Sequence, residues 1–285
     1  MPKQTPMTKW ILVLLGLALP ANHLTVDRET GTLIIVGATS HSIVLASDSL
    51  GVRSRPGIKS TTANKKIIQI GTFAACFISG TASIRGIQNG KVGVEADFVK
   101  TIIDWSKNHP NGQVAEAFSS IGAEILQSMK NIQRLTGFHD DPVGSFASFG
   151  CAGYIMGAPM LYVSDYHAPT SADITELPTT LPPLPPGYFA PLGTPRVSDE
   201  VTKASPAPQF AKFQNAALLR YRKAHDSNKL SSIATNDLLR MSRMCLEATE
   251  SPEGRAFDAD AEFVGRPNRY AVIDERDGFR WVAAP

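Results

Sequence analysis

The residue types able to do chemistry in this chain fall into two groups. Cys76, Cys151 and Cys245 lie far apart, each inside an apolar stretch, which reads as buried free thiols rather than a disulfide framework or a zinc site. The six histidines show no ligand spacing, so no metal is expected. The second group is a short series early in the chain: Gly31-Thr32, Asp48, Lys65-Lys66 and Gly80-Thr81. A threonine hydroxyl is a weak nucleophile that needs an adjacent base. A free α-amino group, of pKa about 7.7–8.0, can be that base, but only when the threonine is the first residue of its chain. Taken singly, each member of the series has an ordinary use. Gly-Thr before an apolar run is common, and an aspartate after a strand is usually a turn or cap residue. A Lys-Lys pair usually opens a solvated strand edge, and Gly80-Thr81 suits a tight turn.

The elements that must position these residues are legible as changes of hydrophobic period. Residues 32–37 (TLIIVG) and 43–47 (IVLAS) read as a hairpin of buried strands. Residues 66–70 and 73–79 make a second such pair around Gly71-Thr72. Phe98, Ile102 and Trp105, with Val99 and Ile103 beside them, form the stripe of an amphipathic helix that stops before His109-Pro110. Its span is taken as 81–106, and Phe118, Ile121, Ile125 and Ile132 mark a second helix over 112–135. Strands return at 146–156 and 160–164. The proline-rich run 177–187 cannot join a central strand and reads as a stiff surface loop. Residues 208–224 and 234–249 read as helices, 250–268 as polar and irregular, and 269–274 with 279–283 as closing strands. Strand blocks separated by helix pairs suggest an α+β fold, two sheets face to face with helices outside each: a four-layer αββα sandwich.

Four segments carry a family resemblance: Gly31-Thr32-Leu-Ile-Ile-Val, Ile43-Val-Leu-Ala-Ser-Asp48-Ser49, Lys65-Lys66-Ile-Ile-Gln-Ile and Ser79-Gly80-Thr81-Ala82. Together they resemble the start of a proteasome β-type subunit, an N-terminal-nucleophile (Ntn) hydrolase. The resemblance is strongest over 31–84 and plausible over 146–166. It implies autocatalytic processing of the Gly31–Thr32 bond, leaving Thr32 as nucleophile and α-amino base of a threonine protease. The family's acidic partner follows the threonine by sixteen positions, as Asp48 does here. Its basic partner falls on Lys66 and its oxyanion glycine on Gly80. Thr194, in Gly193-Thr194, stands where the family carries a Gly-Ser that supports the site.

The chemistry of these positions is coherent. Gly31, without a Cβ, lets the backbone bend so that the hydroxyl can attack the preceding carbonyl. Lys66 favours proton loss from that hydroxyl through its charge. Asp48 holds Lys66 charged and oriented, and the Gly80 N–H would face an oxyanion. The chain also departs from the family. The loop around Arg53-Ser-Arg-Pro-Gly is longer, and the later Asp-x-x-Ser-Gly-Gly motif is missing. Glu250-Ser-Pro-Glu253-Gly254 and Asp258-Ala-Asp260 stand in its place, before Val264-Gly-Arg-Pro.

Hydrophobic content of 43% with 19% charged residues suits a globular protein with a real core. The net charge is +2, with signs interspersed and no basic block, so no nucleic-acid partner is expected. Lys3 and Lys9 precede the apolar run Trp10–Leu19 and then Pro20-Ala21-Asn22. That run is shorter than the roughly 20 residues of a membrane span and matches a signal peptide cut after Ala21. A periplasmic or secreted protein follows, touching membrane only through this segment; the alternative is a cytoplasmic protein with 1–31 as propeptide. The expected division is therefore 1–31 as signal-like segment and propeptide, and 32–285 as the Ntn-hydrolase domain, with a Pro-rich insertion near 176–209. The resemblance implies a threonine-type endopeptidase or amidohydrolase without cofactor, acting on a peptide or amide substrate, in a ring-like homo-oligomer. Two other functions stay open: a non-catalytic ring subunit, which would need none of Gly31, Thr32, Asp48 and Lys66, and a single-chain amidase acting on a small amide.

Overall fold

The computed structural model describes residues 25–30, 33–55, 58–63, 65–88, 91–139, 146–169, 173–180, 183–193 and 196–285. Residues 1–24, which hold the signal-like run, and Gly31, Thr32 and Thr194 lie outside the described residues. In chain order the first strands are Thr25–Thr30 (β1), Leu33–Ala38 (β2), Ser42–Ser47 (β3), Leu50–Arg55 (β4) and Ile58–Ala63 (β5). Ile67–Gly71 (β6), Ala74–Gly80 (β7), Ser83–Gln88 (β8) and Lys91–Asp97 (β9) follow, then helices Phe98–Asn108 (α1) and Val114–Thr136 (α2). Next come Ala147–Ile155 (β10), Ala158–His167 (β11), Thr175–Thr180 (β12) and Tyr188–Gly193 (β13). Helices Arg196–Thr202 (α3), Ala216–Asp226 (α4), Thr235–Glu250 (α5) and Pro252–Phe257 (α6) precede the closing hairpin Arg269–Asp274 (β14) and Gly278–Val282 (β15).

The fold is mixed α+β. Among the described residues the strands form three five-stranded antiparallel sheets: β5-β4-β1-β8-β9, β12-β11-β10-β7-β6 and β13-β2-β3-β14-β15. Alternation along each strand divides the apolar side chains between two faces. Leu33 and Ile35 of β2 join Val44 and Ala46 of β3 in a core closed by Leu238, Met241 and Cys245 of α5 and by Val197 and Val201 of α3. Ile34 and Val36, one position along, join Ile43 and Leu45 in a core shared with Ala75 and Phe77 of β7 and Leu161 of β11. The other face of β7 and β10, with Cys76, Ile78, Phe149 and Cys151, meets Phe98, Ile102 and Trp105 of α1 and Ile121, Ile125 and Met129 of α2. β2 and β3 are buried on both faces, so their sequences are unbroken apolar runs. Each such Ile or Leu contributes about 2 kcal/mol by burial. The helices begin and end on local signals. Asp97 caps α1 by accepting the Lys100 N–H at 2.9 Å, and α2 stops at Gly137, whose φ is +67°.

Several expectations are corrected. The described residues of 81–97 are not helical: the stripe that starts at Phe98 is genuine, but before it stand the paired strands β8 and β9, where Ile84 alternates with Arg85 and pairs with β1. The first sheet was outside every expectation, because its strands are short and polar and carry no apolar run. Cys76 and Cys151 are not free thiols. They stand directly opposite each other on β7 and β10 and are joined by a disulfide, while Cys245 is free and buried. The start of the proline-rich run 177–187 is strand rather than loop: β12 holds Pro178, and it is an edge strand, where a missing N–H is tolerated, as is β13 with Pro191 just after the run. Helix α4 begins only at Ala216, after a 3₁₀ turn at Pro208–Phe213. The stretch read as irregular holds α6 and a second such turn, Ala259–Phe263.

Candidate active site

Strand β3 ends at Ser47, and the chain leaves the sheet at Asp48. Asp48 is held there by an exchange with Leu33. The Leu33 N–H donates to Asp48 Oδ1 at 2.9 Å, and the Asp48 N–H donates to the Leu33 carbonyl at 3.4 Å. Leu33 is the residue directly after Thr32 in the chain. The second carboxylate oxygen, Oδ2, accepts the N–H groups of Leu50 at 3.1 Å and Gly265 at 3.3 Å, and the Lys66 ammonium at 3.0 Å. Lys66 Nζ also donates to the Leu50 carbonyl at 2.5 Å. The pair is closed to solvent: Asp48 is 0% and Lys66 1% exposed, whereas the neighbouring Lys65 is exposed.

Burial draws the Lys66 pKa below the ordinary lysine value, while the charge and hydrogen bond of Asp48, and then the charge of Glu29, pull it back up. The same burial pushes the Asp48 carboxyl above the usual carboxylate range, against Lys66 and the N–H groups of Leu33 and Gly265. Desolvation offsets much of the attraction in such a pair, so it is weak evidence of a stabilising role. Titratable groups shifted by burial and a specific charged partner gather at functional sites.

Gly80 closes β7 with φ +73°, and a Cβ there would stand 2.6 Å from the Phe146 carbonyl oxygen. Lys66 meets the same strand, since the Ile78 N–H donates to the Lys66 carbonyl at 3.2 Å. Beyond Gly80 the Thr81 N–H donates to the Phe146 carbonyl at 2.9 Å and the Ala82 N–H to the Glu29 carbonyl at 2.8 Å. The turn is thereby tied to β1, the strand before Gly31. Three buried hydroxyls next to these residues in the chain, Ser47, Ser79 and Thr81, have no hydrogen-bond partner among the described residues.

The structure thus brings Asp48 and Lys66 into contact and sets Gly80 at the end of the strand that the Lys66 backbone joins. Gly31, Thr32 and Thr194 lie outside the described residues. Sequence reasoning missed Leu50 and Gly265. The Gly265 carbonyl accepts the N–H groups of Ser49 and Leu50, both at 3.1 Å, and a Cβ on Gly265 would meet the Leu50 side chain at 2.9 Å. A glycine 217 positions after Asp48 gives no cue in the sequence that it returns there. In the Glu250–Asp260 stretch Glu250 and Glu253 pair with Arg266 and Lys212, while Ser251 and Asp258 cap local structure. Ser251 accepts the Gly254 N–H at 3.0 Å to start α6, and Asp258 accepts the Asp260 N–H at 3.1 Å. Among the described residues no group of His, Cys, Asp and Glu is arranged to hold a metal ion.

No protein-family model matches this chain, and no curated protein matches it.

Proposed function

We propose that the chain is a threonine-type N-terminal-nucleophile hydrolase that cuts its own Gly31–Thr32 bond and then hydrolyses peptide or amide bonds. The observation that carries this reading is the buried Lys66–Asp48 pair, at 3.0 Å, anchored to the N–H of the residue after Thr32. The three cores support a four-layer αββα sandwich as the finer description of the fold, with α1 and α2 outside one sheet and α3 to α5 outside the other. In self-cleavage the Thr32 hydroxyl gives its proton to the neutral Lys66 amine and attacks the Gly31 carbonyl carbon. The Gly31–Thr32 C–N bond breaks as that proton passes to the Thr32 nitrogen, leaving an ester that water hydrolyses. In the cut chain the freed α-amino group takes the hydroxyl proton of Thr32, and the Lys66 ammonium lowers the cost of that transfer. The Gly80 N–H serves the oxyanion, and Thr194 is the supporting hydroxyl. The orphaned hydroxyls of Ser47, Ser79 and Thr81 offer polar contacts that a reacting group or water would fill.

The Cys76–Cys151 disulfide and the signal-like N-terminus together favour a periplasmic or secreted location. One observation favours a second reading, a non-catalytic relative that stays uncut: β1, just ahead of Gly31, is paired on both edges, with β4 and with β8. The mass of the purified chain separates the two readings, because only the enzyme yields a species that begins at Thr32.

A further inference from the structure

Where α5 ends and α6 begins, a cavity of about 430 Å³ opens between Glu247, Glu250, Ser251, Arg255, Gly265 and Arg266. That volume lies within the range of small-molecule sites, roughly 300–1,000 Å³. Glu247 and Glu250 stand three positions apart on α5 and so share one face of the helix. Glu247 Oε1 accepts the Arg243 Nε–H at 2.8 Å. Glu250 Oε2 accepts the Arg266 Nε–H at 3.3 Å, while its Oε1 is buried and has no hydrogen-bond partner among the described residues. The Glu250 side chain is 11% exposed, against 76% for that of Arg266.

Arg255 stands one helical turn further on, since its N–H donates to the carbonyl of Ser251, the residue after Glu250, at 3.0 Å. Its side chain is exposed and pairs with no carboxylate among the described residues; Glu250 and Glu253 beside it are taken by Arg266 and Lys212. The rest of the lining is already engaged. The Ser251 hydroxyl donates to the Ala248 carbonyl at 2.7 Å and accepts the Gly254 N–H at 3.0 Å. Gly265 turns its N–H to Asp48 and its carbonyl to Ser49 and Leu50.

The cavity therefore presents a carboxylate oxygen that lacks a donor and a guanidinium that lacks an acceptor. A buried carboxylate oxygen without a donor is costly, and the terminal torsion of glutamate is soft, so a small turn brings Oε1 to the cavity. A bare cation would meet two guanidinium groups here, and a bare anion two carboxylates. A ligand that carries both charges meets each with its opposite, and the lining of two acids and two arginines is itself neutral. An α-amino acid holds its ammonium and carboxylate on one carbon, a span that side chains one helical turn apart can bracket.

We propose that this cavity binds a free α-amino acid as its zwitterion, with the ammonium on Glu250 and the carboxylate on Arg255. Nothing in this site depends on Thr32 or on a cut at Gly31–Thr32.

The test uses the full-length protein and ligand-observed NMR with an equimolar mixture of the protein amino acids, followed by calorimetric titration of whichever gives saturation transfer. Saturable binding is expected. It should disappear when the binder is replaced by its N-acetyl form, which lacks the ammonium, or by its amide, which lacks the carboxylate. Glu250→Gln and Arg255→Ala should each weaken it about tenfold or more, as loss of a charge-assisted hydrogen bond does. Arg255 is exposed, so R255A decides alone if the E250Q chain does not fold. No saturation transfer from any amino acid overturns the site and leaves the hydrolase reading untouched. Equal binding of the acetylated or amidated form overturns the zwitterion. Binding that survives both substitutions lies elsewhere on the protein and overturns the proposal.

Discussion

A lysine that is 1% exposed stays buried and charged only while a partner answers its charge, and Asp48 is that partner. Lys66→Met leaves the Asp48 carboxylate buried beside N–H donors with no cation. We expect a loss of about 3–5 kcal/mol, read as a fall of roughly 10 °C in Tm for a domain of this size. The protein still folds, and turnover of a fluorogenic peptide disappears, because the charge that eases proton transfer is gone. Lys65→Met is expected to change neither, since Lys65 is exposed. Equal effects from the two substitutions would mean that Lys66 is not the partner. At this scale the sequence is most informative where a side chain does the work. Asp48 and Lys66 stand out because their types and spacing suit one chemistry. Leu50 and Gly265 act through backbone N–H and carbonyl groups, which every residue has, so no residue type points to them.

Elements were legible in proportion to how fully they are buried. β2, β3, β6 and β7 are apolar runs bounded by turn residues, and the Phe98-Ile102-Trp105 stripe marks α1. The first sheet escaped because its strands follow polar sequence, as in the Lys91–Asp97 strand, and because its two local hairpins are joined only through β1, whose partners β4 and β8 lie further along the chain. The tie between β7 and β10 escaped too, because 75 positions separate its cysteines and only the antiparallel register sets them opposite each other. That tie makes a prediction. Replacing Cys76 and Cys151 together by serine should cost about 2–4 kcal/mol and lower the urea midpoint. Reductant should lower the wild-type midpoint in the same way and leave that of the double variant unchanged. A wild-type midpoint insensitive to reductant would mean that the two thiols are free in solution.

At the scale of the whole molecule, the packing leaves several large apolar side chains in solvent, among them Val92, Leu135, Met156, Leu219 and Trp281. Scattered singly they are ordinary, but an assembly would cover them. The homo-oligomer that the resemblance implies should appear in light scattering at micromolar concentration as a species several times the chain mass. A clean monomer across that range would contradict a ring and favour the single-chain amidase. β1 and β2 belong to different sheets, so a cut at Gly31–Thr32 would divide a strand of one sheet from a strand of another. Whether that bond is cut at all is the claim on which the enzyme rests, and intact mass reads it directly. Wild-type protein and Thr32→Ala should be purified side by side at full length and weighed over time. We predict that wild type accumulates a species beginning at Thr32 while the T32A chain, equally folded, keeps the bond. A wild-type mass that begins at Met1 or Asn22 and never gains the Thr32 species, or a T32A chain cut just as fast, would contradict the threonine as nucleophile.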